Sequence, residues 1–132
     1  MLCGITEAVR DMAVAQAQTR VQFGHVIGTF QAVKHHCANI GLAADLSWSE
    51  AAYTALALAE DTPDADFHAA NLKMIAGQGA LDSAKTNIQL HGGMGFTQEL
   101  NAHLFLKRVH VLNELGGGLR EAQRKVMALP TW

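Results

Sequence analysis

Apolar residues recur at steps of three and four along most of this chain, and the interruptions fall at glycine-rich or proline-containing points. From the N-terminus to about Arg20, the positions Leu2, Ile5, Val9, Met12, Ala13 and Gln16 share one helical stripe, with Glu7 and Asp11 on the exposed side. Val21 to His25 breaks that stripe, and Gly24 is available there for a positive backbone angle. A second helix is predicted from Thr29, read as its N-cap, to about Glu60. Its stripe is Phe30, Val33, Cys37, Ile40, Ala44, Trp48, Ala51, Ala55 and Leu58. At ~1.5 Å per residue it is roughly 45 Å long, a length that only a bundle covers. Asp61-Thr62-Pro63-Asp64 is the clearest turn, with Thr62 as a cap, Pro63 at the first helical position, and Asp64 and Asp66 at the positive helix start. The third helix carries Phe67, Ala70, Met74, Gly77, Leu81, Ala84 and Ile88, with Gly77 and Gly79 allowing close helix approach. It ends at His91-Gly92-Gly93-Met94-Gly95. A fourth helix is predicted over Glu99 to Leu115, stopped by Gly116 to Gly118, and a short charged helix over Leu119 to Ala128, stopped before Pro130. The pattern predicts an all-α fold: an antiparallel four-helix bundle with a short extra C-terminal helix.

Composition agrees. The chain has 132 residues, enough for one domain (1–132) and not two. Twenty-two alanines against two prolines, with 6% aromatics, favour helices over a β-sandwich. A net charge of -2 excludes a broad basic face for nucleic acid or anionic lipid and leaves room for a local anion site. No stretch approaches ~20 uninterrupted apolar residues, so no membrane span is expected. Met1 to Gly4 lacks the basic region and apolar core of a signal peptide. Cys3 and Cys37 form no disulfide framework or metal pattern, and free thiols in a cytoplasmic setting are the expectation.

Two segments carry chemistry beyond the bundle. In Arg20-Val21-Gln22-Phe23-Gly24-His25-Val26-Ile27-Gly28-Thr29-Phe30-Gln31, an arginine precedes a helix break with an aromatic three residues on. A guanidinium offers planar donors to phosphate, and the ring a packing face; the plainer reading is a solvated arginine and a core phenylalanine. In Gln89-Leu90-His91-Gly92-Gly93-Met94-Gly95-Phe96, glycines let backbone amides approach a pyrophosphate. Taken alone, a glycine-rich helix C-cap is the better explanation of that segment, and it is neither a P-loop nor a dinucleotide fingerprint.

The remaining candidates read as structural. His35, His36 and Cys37 diverge by ~100° each along a helix and cannot converge on a metal. His91 suits a cap or backbone contact, and His103 and His110 a surface or interface. Trp48, Met74 and Met94 read as packing residues. Lys107 and Arg108 suit a helix C-terminus, and Arg120 to Lys125 a solvated face.

The two strings, in this order and joined by two long helices, resemble the C-terminal domain of the acyl-CoA dehydrogenase family. The likeness rests on Arg20-x-Gln22-Phe23-Gly24-x-x-Ile27-x-x-Phe30-Gln31 and Gln89-x-x-Gly92-Gly93-x-Gly95-Phe96, and it covers about residues 4 to 118. It implies a flavoenzyme of three domains, of which this sequence matches only the last; the N-terminal helical and middle β domains are absent from it. The implied reaction is α,β-dehydrogenation of an acyl-CoA thioester with hydride transfer to FAD, and electrons then pass to an electron-transfer flavoprotein. By matching position, Arg20 would bind the FAD pyrophosphate and Phe23 would pack by its adenosine portion. Phe30 and Gln31 would also touch the cofactor, and Gln89, Leu90, His91, Gly92 and Gly93 would cradle the ADP half from a neighbouring subunit. The implied assembly is a homo-oligomer, a dimer or tetramer, or a heteromer with a catalytic subunit.

One departure bears on catalysis. Many members carry a glutamate base before a Gly-Thr pair after the fourth helix, and registering on Glu99 and Lys107 puts Gly116 there, with Gly117 as a candidate substrate contact. Glu114 is the nearest carboxylate, and a helical rotation of ~200° would face it away. A register shift of one or two residues would make Glu114 the alternative base. The isolated chain is expected to lack turnover, because the flavin-ring and thioester sites need the family's other two domains. The alternative is a non-catalytic assembly module or a base-lacking subunit of a heteromeric enzyme.

Overall fold

Five helices follow one another along the chain: α1 (Leu2–Thr19), α2 (Gln31–Ala59), α3 (Ala65–His91), α4 (Ala102–Glu114) and α5 (Gly118–Ala128). They are seen in a computed structural model that describes residues 1–128; the stop expected at Pro130 lies outside the described residues. α3 packs against all four other helices and forms the axis of the bundle. Asn87 of α3 reaches Met12 of α1, and Met1 to Cys3 lie beside Ala69 to Ala76, so α1 and α3 run parallel. The end of α1 and the end of α3 therefore share one end of the bundle.

Small residues set how closely these helices approach. Among the described residues, alanine supplies eleven of the seventeen buried apolar positions, including Ala13, Ala44, Ala80 and Ala84. The larger buried side chains are few: Val9, Ile40, Ile88, Val109 and Leu112. Val9, Ala13 and Ile40 form a core cluster, with Ile5, Leu90 and Phe105 packed around it. Close approach is tightest at Gly77. A Cβ there would overlap Leu119 of α5 and sit 2.7 Å from Asn113 Oδ1 of α4, while the Gly77 carbonyl accepts a hydrogen bond from Asn113 Nδ2 at 3.1 Å. At Gly79 a Cβ would meet Ala43 at 3.4 Å, an ordinary contact. One turn from Gly77, Lys73 donates to the Leu112 carbonyl at 2.8 Å and so caps the last turn of α4. Burial pushes the Lys73 amine below the usual lysine range, an effect partly offset by Glu114.

The structure departs from the sequence pattern in four places. Val21–Gln22 and His25–Val26 pair as a two-stranded antiparallel hairpin, with Val21 opposite Val26, where only a helix break was expected. Thr29 does not cap α2. Its hydroxyl donates to the Val26 carbonyl at 2.7 Å within the 3₁₀ turn Ile27–Thr29, and Phe30 takes the N-cap position. Pro63 lies two residues before α3, not at its first position, and the Thr62 hydroxyl bonds Asp64 and the Ala57 carbonyl instead of a helix amide. The fourth helix begins at Ala102, after a 3₁₀ turn over Gly92–Phe96, and not at Glu99.

The stripe on α2 also rotates. Its buried residues are Ile40, Ala44, Ser47, Thr54 and Ala57, so Trp48, Ala55 and Leu58 fall outside the core. Trp48 is 49% exposed, and Leu42, Leu46, Tyr53 and Leu56 are exposed with it. Ser47 and Thr54 sit inside because their hydroxyls bond to carbonyls, Ser47 to Ala43 at 2.7 Å and Thr54 to His68 at 3.2 Å. Ile40→Ala is expected to lower unfolding free energy by about 2–4 kcal/mol, measured by urea titration with fluorescence detection. A loss under about 1 kcal/mol would mean that the Val9–Ala13–Ile40 contact is not the core.

Candidate functional site

α1 ends at Arg20, where the backbone turns extended and the amide still bonds the Gln16 carbonyl at 3.0 Å. The Arg20 carbonyl accepts from Ile27 at 2.8 Å, which closes the hairpin back on the helix end. The two-residue loop, Phe23 and Gly24, has φ values of 54° and 80°. Two left-handed residues in succession give the turn type whose twist matches the flanking strands. Glycine takes that conformation freely, but a bulky L-residue does so at a cost of roughly 1–2 kcal/mol. That strain holds the Phe23 ring 89% exposed. Phe30 is 37% exposed and meets Phe23 edge to face, with ring centroids 6.2 Å apart. Arg20 is exposed beside them and makes no ion pair among the described residues. Gln31 opens α2, and its side-chain amide lies 3.2 Å from His35 Nε2.

Gly28, not singled out by sequence, fixes how the hairpin sits. A Cβ there would lie 2.7 Å from the Ala17 carbonyl oxygen, so the segment after the hairpin lies directly on α1. Beneath it, Val14, Ala17, Val26, Val33 and Cys37 line an apolar groove of about 350 Å³. Burial raises the Cys37 thiol above its usual range and keeps it protonated. Cys3 is buried and contacts the Ser47 carbonyl at 3.6 Å.

The second string closes α3 at the same end of the bundle, packed on α3 and α4, whereas the hairpin packs on α1 and α2. Gln89 is exposed, Leu90 is half-buried in the core, and His91 is buried with its Nδ1 2.8 Å from the Asn87 carbonyl. The His91 ring thus serves the helix end, and only its backbone faces the turn. Gly92 and Gly93 are exposed, and a Cβ at either would meet nothing within 4 Å. Gly95 is the opposite case: a Cβ would lie 2.6 Å from the Ile88 carbonyl oxygen, which lets the turn fold down onto α3. Met94 is exposed, not packed.

Gly116, Gly117 and Gly118 all have left-handed φ values, 76°, 103° and 72°. Gly116 carries no functional group, and the space where its Cβ would sit is open. α4 stops at Glu114, so the helical rotation that would turn this carboxylate away does not continue into the glycines. A Cβ on Gly118 would meet Glu114 Oε2 at 3.7 Å, which places the carboxylate over the glycine segment. Among the described residues no group of three His, Cys, Asp or Glu is arranged to hold a metal, and no helix is long and apolar enough to cross a membrane. His110, Lys107 and Arg108 are exposed, and His103 Nδ1 lies 3.0 Å from the Leu100 carbonyl.

Residues 1–129 match the family model described as acyl-CoA dehydrogenase, C-terminal domain. The chain belongs to the acyl-CoA dehydrogenase family. It is 41% identical over 127 residues to acyl-CoA dehydrogenase FadE34 of Mycobacterium tuberculosis, covering 96% of this chain and 18% of that one. Acyl-CoA dehydrogenase IpdE2 of the same organism is 35% identical over 123 residues, which cover 93% of this chain and 37% of that one. The chain thus spans well under half the length of these relatives. Butyryl-CoA dehydrogenase from Megasphaera elsdenii shares the fold, with a TM-score of 0.90 and 22% identity over 96% of this chain and 33% of that one. The FAD complex of PigA does so with a TM-score of 0.91 and 21% identity over 96% of this chain and 33% of that one. Within the acyl-CoA dehydrogenase bundle, Gly95→Ala is expected to cost about 1–3 kcal/mol because its clash is with backbone. Gly93→Ala is expected to stay within about 0.5 kcal/mol. Urea unfolding of both variants checks the pair, and equal stabilities would contradict the difference in packing.

Proposed function

We propose that this bundle is the cofactor-holding and assembly domain of an FAD-dependent acyl-CoA dehydrogenase. The observation that carries the reading is the end of α1: an exposed Arg20, without an ion pair among the described residues, next in the chain to Phe23 and Phe30, with one ring held outward in a strained hairpin. Strain kept at an exposed aromatic fits a ligand site better than a surface loop. The donor set suits a diphosphate joined to an aromatic nucleoside. Arg20 offers paired N–H donors, Phe23 and Phe30 offer ring faces, and Gln31 offers an amide. The Gln89 side-chain amide and the exposed backbone at Gly93 offer donors for the ADP half of FAD bound by an adjoining protomer, whereas the Leu90 and His91 amides lie within α3 and the Gly92 amide bonds the Gln89 carbonyl. Arg20 and the glycine turn stand on different helix pairs of one chain, which suits a cofactor shared between two. When bound, FAD supplies the acceptor for the hydride that leaves an acyl-CoA thioester.

The acyl-CoA substrate and an electron-transfer flavoprotein acceptor belong to the whole enzyme. Turnover needs the family's two other domains and a base. No base stands at Gly116, and this favours a second reading, a base-lacking subunit paired with a catalytic chain; Gly117 would then still border the thioester. Two acidic side chains lie against this segment, Glu114 with its Oε2 near Gly118 and Glu121 with its Cγ near Gly117. The free thiols support a cytoplasmic setting.

Assembly follows from the outer face of α2. Leu42, Leu46, Tyr53, Leu56 and Leu58 are exposed on one chain, more apolar surface than a stable monomer carries. Light scattering is expected to show a dimer or larger species, and the double variant Leu42→Glu with Leu46→Glu a monomer. A monomeric wild-type chain at high concentration would contradict the assembly. Isothermal calorimetry with FAD is expected to show about 10- to 100-fold weaker binding for Arg20→Ala, the loss of charge-assisted hydrogen bonds. Equal affinity of the two proteins would remove Arg20 from the site.

A further inference from the structure

The opposite end of the bundle, where α2 turns into α3, holds a polar cluster that cofactor binding leaves unused. His68 lies in the first turn of α3 with its side chain 18% exposed. Its Nδ1 is 2.9 Å from Glu50 Oε1 on α2, and its Nε2 is 3.5 Å from Asp64 Oδ2 at the helix N-cap. Glu50 Oε1 also accepts from Asn71 Nδ2 at 3.0 Å, and Asp64 Oδ1 accepts from the Thr62 hydroxyl at 2.7 Å. The Tyr53 ring of α2 lies against the imidazole with centroids 4.4 Å apart, and Phe67 meets it edge-on at 5.2 Å. The titratable groups facing His68 are therefore Glu50 and Tyr53 from α2 and Asp64 from the turn. Both charges among them are negative.

A neutral imidazole has one N–H and one lone pair. If the N–H goes to Glu50, the lone pair opposes the Asp64 carboxylate. The doubly protonated ring donates to both, and the adjacent aromatic faces favour a cation as well. We propose that His68 is a proton-operated latch on the α2–α3 turn. Protonated, it ties α3 to α2 through Glu50 and to its own N-cap through Asp64; deprotonated, it keeps Glu50 and releases Asp64.

The sign of the pH dependence follows. The latch is closed where the ring carries both protons and opens on the alkaline side, where one of them is lost. On the acid side the carboxylates set the limit. The Thr62 hydroxyl, and to a lesser extent His68, hold the Asp64 carboxyl below its usual range. Its contribution is therefore present above the ordinary carboxylate range and is lost only as pH falls through that lowered value. The latch works between those two limits. It does not depend on the cofactor reading, since it lies at the far end of the bundle.

Two measurements on the full chain test it. In an NMR titration, the His68 ring nitrogens, the Ala65 backbone amide and the Asn71 side-chain amide are expected to move with one midpoint. In thermal unfolding at pH 5.5 and pH 8.5, the wild type is expected to lose about 2–4 °C more on alkalisation than His68→Gln. The other six histidines are present in both proteins, so the difference isolates the latch. Asp64→Asn is expected to remove most of that difference while leaving Glu50 in place. The same pH dependence in wild type and His68→Gln overturns the proposal. So does an Ala65 amide indifferent to the ring, and this wild-type titration decides alone if His68→Gln does not fold.

Discussion

The distance at which helices pack on α3 governs the rest of this molecule. That distance is set by alanine and by Gly77, where the α4 and α5 side chains Asn113 and Leu119 press directly on the α3 backbone. Narrow spacing favours dispersion contacts and hydrogen bonds between helices, such as Lys73 to Leu112 and Asn113 to Gly77. It also limits the apolar area each contact removes from water, because an alanine buries far less than a leucine. The leucines and the tryptophan of α2 are consequently left on the outside.

The same economy of space shapes the ends of the bundle. At one end Gly28 and Gly95 bring irregular backbone flat onto α1 and α3, which leaves Arg20, Phe23 and Gly92–Gly93 projecting past the helices. Among the described residues these groups stand on an open edge of the bundle. At the other end the turn is short and inward-looking. Polar side chains there bond each other, and Glu50, Asp64 and His68 hold the two longest helices in register.

Much of this was legible in the sequence. Steps of three and four located five helices, the Asp61–Asp64 turn and the glycine stop after α4, because periodicity reports burial and burial follows the helix axis. The stripe on α2 was misjudged beyond Ala44. There Ser47 and Thr54 turn inward through hydroxyl-to-carbonyl bonds, and Trp48 and Leu58 turn outward, so hydrophobicity stops marking the core. The hairpin was missed because its strands are two residues long and its turn places phenylalanine in a conformation sequence statistics assign to glycine or asparagine. The packing role of Gly28 and Gly95 was not readable: each is required by a backbone atom seven or eleven residues earlier, Ile88 for Gly95 and Ala17 for Gly28, across a tertiary contact. For the candidate site, the spacing of Arg20, Phe23 and Phe30 was readable, while the inward turn of the His91 ring and the outward position of Met94 needed coordinates. The lean of Glu114 over the glycines also needed them, since a rotation rule ends where its helix ends.

The three consecutive left-handed residues, Gly116 to Gly118, have an evolutionary corollary. A single codon change places an acidic side chain at the first of them, and the space around it is free. The backbone is the obstacle, since an L-residue held there pays roughly 1–2 kcal/mol. Aspartate tolerates that geometry better than glutamate, yet it is the shorter acid and reaches less far. Installing a proton acceptor at this point therefore requires remodelling the main chain along with the side chain.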